Sequence, residues 1–453
     1  MSRLVCVSNR LPLGPNPAGG LVVALKSALT ETGGLWVGYR GEVTETPSDS
    51  LIDLPGAPFE RAAFDLTQEE FDGYYRGYAN SELWPIFHGR ADLCDIRPEH
   101  LETYRAVNAR IARQLAPRLR RDDRIWVHDF HLLPLAQELR RLGVEAPIGL
   151  FLHIPFPDVH NLSALSNGAE VIDWLSRYDL VGLQADRDVL SFLDCAWQLG
   201  NLEDFGKGRL KVNGRHMRIA SCPIGIDAEE FAAAARDAPR EDRLRSLTGA
   251  ELMIGVDRLD YSKGIPQRFR AFQELLEQHE DLHEKIAFLQ IAPPTREAIS
   301  AYQVIREETE HLAGRINGQF ATINWTPIRY IHRPLPRDTL AGLYRQAAIG
   351  LVTPLADGMN LVAKEYVAAQ DPEDPGVLIL SRFAGAAEMM GEALIINPHD
   401  PCELALAMAE ALHMPRTERR RRWERLMHVV QTQDVRWWSK RFLSALERQP
   451  IPA

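Results

Sequence analysis

The chain has 453 residues, 45% apolar and 25% charged, and its 52 Lys and Arg against 62 Asp and Glu leave a formal net charge of −10. At about 150 residues per domain, that length suggests about three domains, or two α/β domains of roughly 200 residues. The acidic balance argues against nucleic-acid or membrane-surface binding driven by overall charge, no apolar run approaches the ~20 residues that cross a bilayer, and "MSRLVCVSNRL" turns polar too quickly for a signal peptide.

Along the chain, apolar strand-like runs alternate with amphipathic helical segments. In the first half the runs are "RLVCVSN", "GLWVGY", "RIWVHDF", "PIGLFLHI", "DLVGLQA" and "MRIASCPIGI". In the second half they are "LMIGVDRL", "KIAFLQIA", "ATINWTP", "IGLVTPL", "GVLILS" and "EALIINP". Continuous β-branched runs without a strict period of two predict strands buried on both faces, hence parallel sheets covered by helices and an α/β architecture. Between residues 223 and 250 the pattern lapses into "AAAARDAPREDRLRSL" and then restarts at "LMIGVD". This predicts two doubly wound domains meeting across a cleft. A single (β/α) barrel competes, but the chain is long for one and the pattern restarts midway.

Five scattered cysteines, Cys6, Cys94, Cys195, Cys222 and Cys402, form no CxxC. They read as reduced thiols of a cytoplasmic protein. The basic run "RTERRRRWERL" is interleaved with Glu418 and Glu424 at helical spacing and reads as a solvated helix face.

Ligands of open parallel sheets bind beyond the carboxyl ends of the strands, so the residues that follow each apolar run carry the functional reading. After the first run, Arg10 leads into a Pro-rich loop and then Gly19-Gly20 at a helix start. That pair is either a plain turn or a place where a phosphate approaches free N–H groups. It is neither a P-loop nor GxGxxG. In "IGVDRLDYSKGIPQRF", Arg258 and Lys263 follow a strand and could grip a diphosphate, and Arg296 follows the next strand in "LQIAPPTREAI". In "TPLADGMNLVAKEYVAAQ" a polar turn precedes a helix. Either Asp357 merely caps that helix, or the unpaired N–H groups face an anion while Asp357 and Glu365 accept sugar hydroxyls. "WVHDFHLLP" and "LFLHIPFP" put Asp129, His128, His131 and His153 at two strand ends, with no standard zinc spacing and no HExxH. The DxD at 186–188 reads as a helix start. Tyr75 and Trp84 in "FDGYYRGYANSELWPIFHGR" read as core or as a platform for a sugar ring.

The ordered set "WVHDFHLLP", "FLHIPFP", "RLDYSKG", "GRINGQF" and "DGMNLVAKEYVAAQ" resembles the trehalose-6-phosphate synthases, retaining glycosyltransferases of the GT-B fold, over nearly the whole chain. The resemblance implies an acceptor-binding Rossmann-like domain over 1–228, joined by a returning C-terminal helix at about 436–453, and a nucleotide-sugar domain over 229–435. It implies glucosyl transfer from UDP-glucose to glucose 6-phosphate with no metal or other cofactor. By position, Gly19, Gly20, Arg258 and Lys263 would hold the donor diphosphate. Leu361, Val362, Ala363, Lys364 and Glu365 would bind the nucleotide, with Glu365 on the ribose and Leu335 beside the base. Asp357 and His153 would touch the transferred glucose. Arg10, Tyr75 and Arg296 would take the acceptor phosphate, with Asp129 on an acceptor hydroxyl and Trp84 helping to select it. The catalytic set is then Asp129, His153, Arg258, Lys263 and Asp357.

The chain departs from the family pattern at Gly89 and Ala91 ("HGRADL" for "HYRLDL"), at "GLWVGYRGE" for "GLWFGWSG", at Ala356 for an Arg, and at Leu335 for a Phe. These positions keep open another phosphorylated acceptor such as glycerol 3-phosphate. A rival of another class is a silent sugar-nucleotide sensor, against which the complete set Arg10, Asp129, His153, Arg258, Lys263 and Glu365 argues. The expected partners are the two small-molecule substrates, without nucleic acid or membrane. The sequence leaves a homo-oligomer, and the choice among UDP, ADP and GDP, open.

Overall fold

A computed structural model describes residues 2–13, 22, 25–26, 29–30, 33–238 and 250–447. The chain up to Pro223, rejoined from Arg436 onward, forms one compact unit, and Ile224–Val435 forms a second. The boundary falls at Pro223 rather than 228 because residues 224–226 are tied to the second unit. Lys364 Nζ donates to the Ile224 carbonyl at 2.7 Å, and Gly225 lies so close to the Gln433 carbonyl that a Cβ would come within 2.1 Å of it.

In the first unit the strands are β1 (Leu4–Arg10), β2 (Gly34–Val43), β3 (Ile52–Asp53), β4 (Glu60–Leu66), β5 (Arg124–His128), β6 (Ile148–Phe151), β7 (Leu180–Leu183), β8 (Leu202–Asp204), β9 (Arg209–Val212) and β10 (Arg215–Ser221). They form one sheet in the order β3-β4-β2-β1-β5-β6-β7-β10-β9-β8. From β4 to β10 neighbours run parallel, whereas β3, β9 and β8 are antiparallel additions at the two edges. Central strands such as β6 and β7 are buried at every position, which is why their runs read as continuously apolar. The edge strands β3, β8 and β9 are short and partly polar and left no such signal.

In the second unit the strands are β11 (Glu251–Val256), β12 (Ile286–Ile291), β13 (Ile328–Ile331), β14 (Ile349–Val352), β15 (Val377–Ser381) and β16 (Leu394–Ile396). All neighbours are parallel, in the order β13-β12-β11-β14-β15-β16. This is the doubly wound order, and the direction of winding reverses between β11 and β14. In the first unit the same reversal falls between β1 and β5. One expected strand is corrected: "ATINWTP" is not extended, and the third strand starts at Ile328. Trp325 looked strand-like because it is buried, with its indole N–H donating to the Ile286 carbonyl at 2.7 Å.

The helix Val435–Glu447 packs on the first sheet through Trp438 and Phe442, both fully buried. Phe442 fits a slot cut by two glycines. A Cβ on Gly149 in β6 or Gly182 in β7 would lie 2.8 or 2.7 Å from its ring. The Arg-rich run is the helix Arg416–Thr432, whose arginines pair with Glu373, Asp374, Glu392 and Glu418, as a solvated face requires. Among the described residues no helix is long and apolar enough to cross a membrane.

Candidate active site

In the second unit the two loops at the winding reversal are stitched together. After β11 the chain passes Asp257 to Gly264 and enters the helix Ile265–Gln278. After β14 it passes Thr353 to Asn360 and enters the helix Leu361–Ala369. Leu355 N–H donates to the Ser262 carbonyl at 2.7 Å. Gly264 sits at φ +68°, where a Cβ would also lie 2.4 Å from the Thr353 carbonyl, so no other residue fits this turn. Beneath the loops, fully buried Arg268 donates to Asp257 at 2.6 Å, Thr353 at 2.7 Å, Gln290 at 3.0 Å and the Lys263 carbonyl at 2.9 Å. Gly255 leaves room for it, since a Cβ there would lie 2.6 Å from the guanidinium.

That scaffold sets Lys263 Nζ 2.5 Å from Asp357 Oδ2, with Asn360 Nδ2 donating to the same oxygen at 3.0 Å. Asp357 is held by backbone on its other side. Its N–H donates to the Phe383 carbonyl and its own carbonyl accepts from Gly385 N–H, both at 3.2 Å. Asn360 precedes the helix Leu361–Ala369 at φ +67°, an angle that Asn tolerates better than most residues, and its side chain makes no capping bond. The first N–H groups of that helix therefore have no side-chain cap, and its dipole favours an anion there. The capping role open to Asp357 in the sequence is not the one it takes. Glu365 is half-buried one turn in, and burial pushes its carboxyl up to about 7 against the opposing pull of Arg337.

The other candidates of this unit lie at the same carboxyl edge. Arg258 is exposed directly after β11, and Leu335 is half-buried after β13. Arg296, after β12, has a side chain only 8% exposed and donates to Tyr302 Oη at 2.7 Å, with the fully buried Asp260 at 3.4 Å. Lys364, in the segment expected to bind the nucleotide, turns its side chain inward. Its ammonium is wholly buried against the Ile224 carbonyl and pushed down to about 7, so any part it plays in binding falls to its backbone.

In the first unit Arg10 ends β1, and Asp129 and His153 follow β5 and β6, the next two strands of the sheet. Arg10 is exposed beside Gly41, at φ +104°, where a Cβ would lie 2.9 Å from the guanidinium. Asp129 adopts φ +75° and accepts the His153 N–H at 3.2 Å, while its own N–H donates to the Phe151 carbonyl at 2.8 Å. His153 Nε2 lies 3.2 Å from His128 Nδ1. Burial keeps both rings neutral, pushing His153 down to about 3 and His128 well below its usual range.

Tyr75 and Trp84 come from an unexpected element. Phe71–Leu83 is a π-helix, a form usually confined to a single turn. Gly73 and Gly77 let Thr103 and His100 approach it, since a Cβ would meet them at 2.8 and 2.5 Å. Buried Glu82 accepts from His100 at 2.9 Å. Tyr75 stacks between Phe71 and His131, at ring-centroid distances of 4.9 and 5.6 Å. Trp84, just past the π-helix, is 4% exposed and packs between His88 and Phe130, so the core reading describes it better than an open platform. Asp188 of the DxD is buried and accepts from Phe156 N–H at 3.1 Å, in the first turn of the helix Asp186–Leu199. Gly19 and Gly20 lie outside the described residues. Among the described residues, no three His, Cys, Asp or Glu side chains converge as a metal site would require.

Sequence reasoning missed Asp257, Arg268, Gln290 and Thr353. The signal was a Gln inside the apolar run "KIAFLQIA" and an Arg on the buried stripe Ile265, Phe269, Phe272 of its helix.

Residues 14–448 match the description of glycosyltransferase family 20. The chain belongs to glycosyltransferase family 20. As a family 20 protein it is 44% identical to trehalose-6-phosphate synthase of Klebsiella pneumoniae, over 99% of this chain and 95% of the relative. It superposes with a TM-score of 0.94, at 46% identity and covering 98% and 100% of the two chains, on an alpha,alpha-trehalose-phosphate synthase (UDP-forming) of Burkholderia xenovorans in complex with glucose-6-phosphate. It likewise matches, with a TM-score of 0.95, 43% identity and 99% and 100% coverage, the Escherichia coli structure described as trehalose-6-phosphate bound with UDP-2-fluoro glucose. The fold is GT-B, and the protein is a glycosyltransferase.

Proposed function

We propose that this family 20 enzyme transfers glucose from UDP-glucose to the anomeric hydroxyl of glucose 6-phosphate with retention, giving α,α-trehalose 6-phosphate and UDP. The observation that carries the reading is the Lys263–Asp357 pair beside an uncapped helix start at the winding reversal of the second unit, in a chain whose likeness to a glucose-6-phosphate complex runs end to end. A fixed cation and N–H groups without a side-chain cap suit a diphosphate, while a carboxylate and Asn360 next to them suit sugar hydroxyls.

The second unit then binds the donor. Arg258, Lys263 and the N–H groups of Leu361, Val362 and Ala363 meet the diphosphate, together with Gly19 and Gly20. Glu365 takes the ribose, Leu335 lies by the base, and Asp357 with His153 meets the glucose. The first unit supplies Arg10, Tyr75 and Asp129 to the acceptor, with Arg296 as a further phosphate ligand and Trp84 shaping the pocket wall.

In the reaction the bond from the glucose anomeric carbon to the β-phosphate oxygen breaks, and the acceptor hydroxyl bonds to the same face of that carbon. The hydroxyl proton passes to the departing phosphate oxygen, so no enzymic nucleophile is needed. Charge growing on UDP is met by preorganised donors instead of a metal, the arrangement in which electrostatic stabilisation is most effective.

The test is UDP release from UDP-glucose with glucose 6-phosphate, with glycerol 3-phosphate and with no acceptor, each with and without EDTA, and the product's anomeric configuration read by NMR. Release dependent on glucose 6-phosphate, insensitive to EDTA and yielding an α,α linkage is expected. Preference for glycerol 3-phosphate overturns the product. UDP binding without release from any sugar nucleotide overturns catalysis.

A further inference from the structure

His128 is fully buried, and among the described residues its ring makes one hydrogen bond, to His153. Since neither imidazole is charged, one of the two facing nitrogens carries a proton and the other accepts it. Two arrangements are available. If His153 donates from Nε2, His128 must carry its proton on Nε2. If His128 donates from Nδ1, its Nε2 is a bare acceptor and His153 carries its proton on Nδ1.

The surroundings of His128 Nε2 decide between them. Among the described residues that atom is buried without a hydrogen-bond partner, and so are the indole nitrogens of Trp126 and Trp438. The three rings share one cluster, with centroids of Trp126–His128 4.7 Å, Trp126–Trp438 4.9 Å and His128–Trp438 6.4 Å apart. Indole nitrogens only donate. A protonated His128 Nε2 would place a third orphan donor beside two others, whereas a bare Nε2 leaves only an unused acceptor there. Buried donors without partners are rarer than under-used acceptors.

We infer that His128 is a positioning residue that fixes the tautomer of His153: it donates from Nδ1 to His153 Nε2, so His153 presents an Nδ1–H donor to its ligand. His153 Nδ1 has no hydrogen-bond partner among the described residues. A sugar hydroxyl there would be bound as an acceptor. This last step rests on the proposed reading that His153 meets the transferred glucose; the tautomer assignment does not.

The experiment uses the full chain with 15N-labelled histidine, alone and with UDP-glucose, and two variants. Asn at 128 keeps an N–H near the position of Nδ1 and Leu does not. In the wild type, His153 should show a pyrrole-like Nδ1 and a pyridine-like Nε2. His128→Leu should lose that pattern and about tenfold in kcat/KM, the scale of one hydrogen bond, with KM for the acceptor unchanged. His128→Asn should keep the pattern and stay within about threefold of wild type. A pyrrole-like Nε2 on His153 overturns the assignment, as does an unchanged tautomer in His128→Leu. Equal losses in both variants that follow their melting temperatures overturn the positioning role in favour of plain packing. If the tautomer is as assigned but no glucosyl transfer occurs, the assignment stands and the proposed function falls.

Discussion

Lys364 offers a perturbation whose sign and size can be worked out in advance. Its ammonium is wholly buried, and its pKa falls from 10.5 to about 7 because burial penalises the charge. Below pH 7 both folded and unfolded chains hold the proton, and the fold bears the full cost of burying it, about 5 kcal/mol at ~1.4 per pH unit. Between pH 7 and 10.5 the unfolded chain keeps a proton that the folded one has released, so stability rises with pH. From pH 7, where the folded lysine is half protonated, to pH 9 the gain should be about 2 kcal/mol. The comparison with a variant isolates this contribution. The buried histidines titrate below 6.5, while Glu365, raised to about 7, and the cysteines, whose thiols ionise near 9.0 only once unfolded, contribute alike to wild type and variant and cancel in their difference. Lys364→Met keeps the length of the side chain and removes the titration, leaving a pH-independent offset from the lost bond to Ile224. Urea unfolding at pH 7 and pH 9, followed through hydrogen exchange of peptides from the second unit, reads the difference. The stability advantage of the variant, whatever its value at pH 7, should shrink by about 2 kcal/mol at pH 9. A constant difference, or one that grows with pH, would refute a buried neutral lysine.

Three further outcomes test the site and its supports. Arg258→Ala should lower kcat at least ~10²-fold, the usual scale for losing one donor aimed at developing charge, and near-normal turnover in a UDP-release assay would remove Arg258 from the diphosphate. Phe442→Ala empties the slot beside Gly149 and Gly182 and should cost about 3–5 kcal/mol in urea unfolding of the first unit; a loss below 1 would mean that the slot collapses. In Gly385→Ala the new Cβ would lie 1.8 Å from the Gly358 carbonyl. It should raise the Kd for UDP-glucose by about tenfold for a destabilisation of about 1–3 kcal/mol, and unchanged affinity in calorimetry would separate the Asp357 turn from the ligand.

The sheet cores were legible because parallel strands buried on both faces leave uninterrupted apolar runs, as at β6, β7 and β14. Polar residues directly after such runs, including Asp129, His153, Arg258 and Asp357, could be picked out for the same reason: a strand's end is visible, and a parallel sheet puts its ligands there. The π-helix was not legible, since its repeat matches neither the helical nor the strand period, and its two glycines read as loop. Nor was β13, whose half-buried "IRYI" is less apolar than the Trp325 stretch before it.

Direction was harder to read than position. Lys364 and Glu365 are neighbours in the sequence, and both looked like ligands at a helix start. The helix Leu361–Ala369 is largely buried, so a lysine on it meets the interior as readily as a ligand would, and only the nearby Ile224 carbonyl explains where the ammonium goes. The partners that fix Asp357 are equally invisible, because they are backbone groups of Phe383 and Gly385, which carry no side-chain signature. The chemistry of a site is written in its side chains, which a sequence displays. Its rigidity is written largely in main-chain contacts between distant loops, which depend on the order of strands in the sheet. Here the order β13-β12-β11-β14 brings the Lys263 and Asp357 loops side by side, although 94 residues separate those two side chains in the chain.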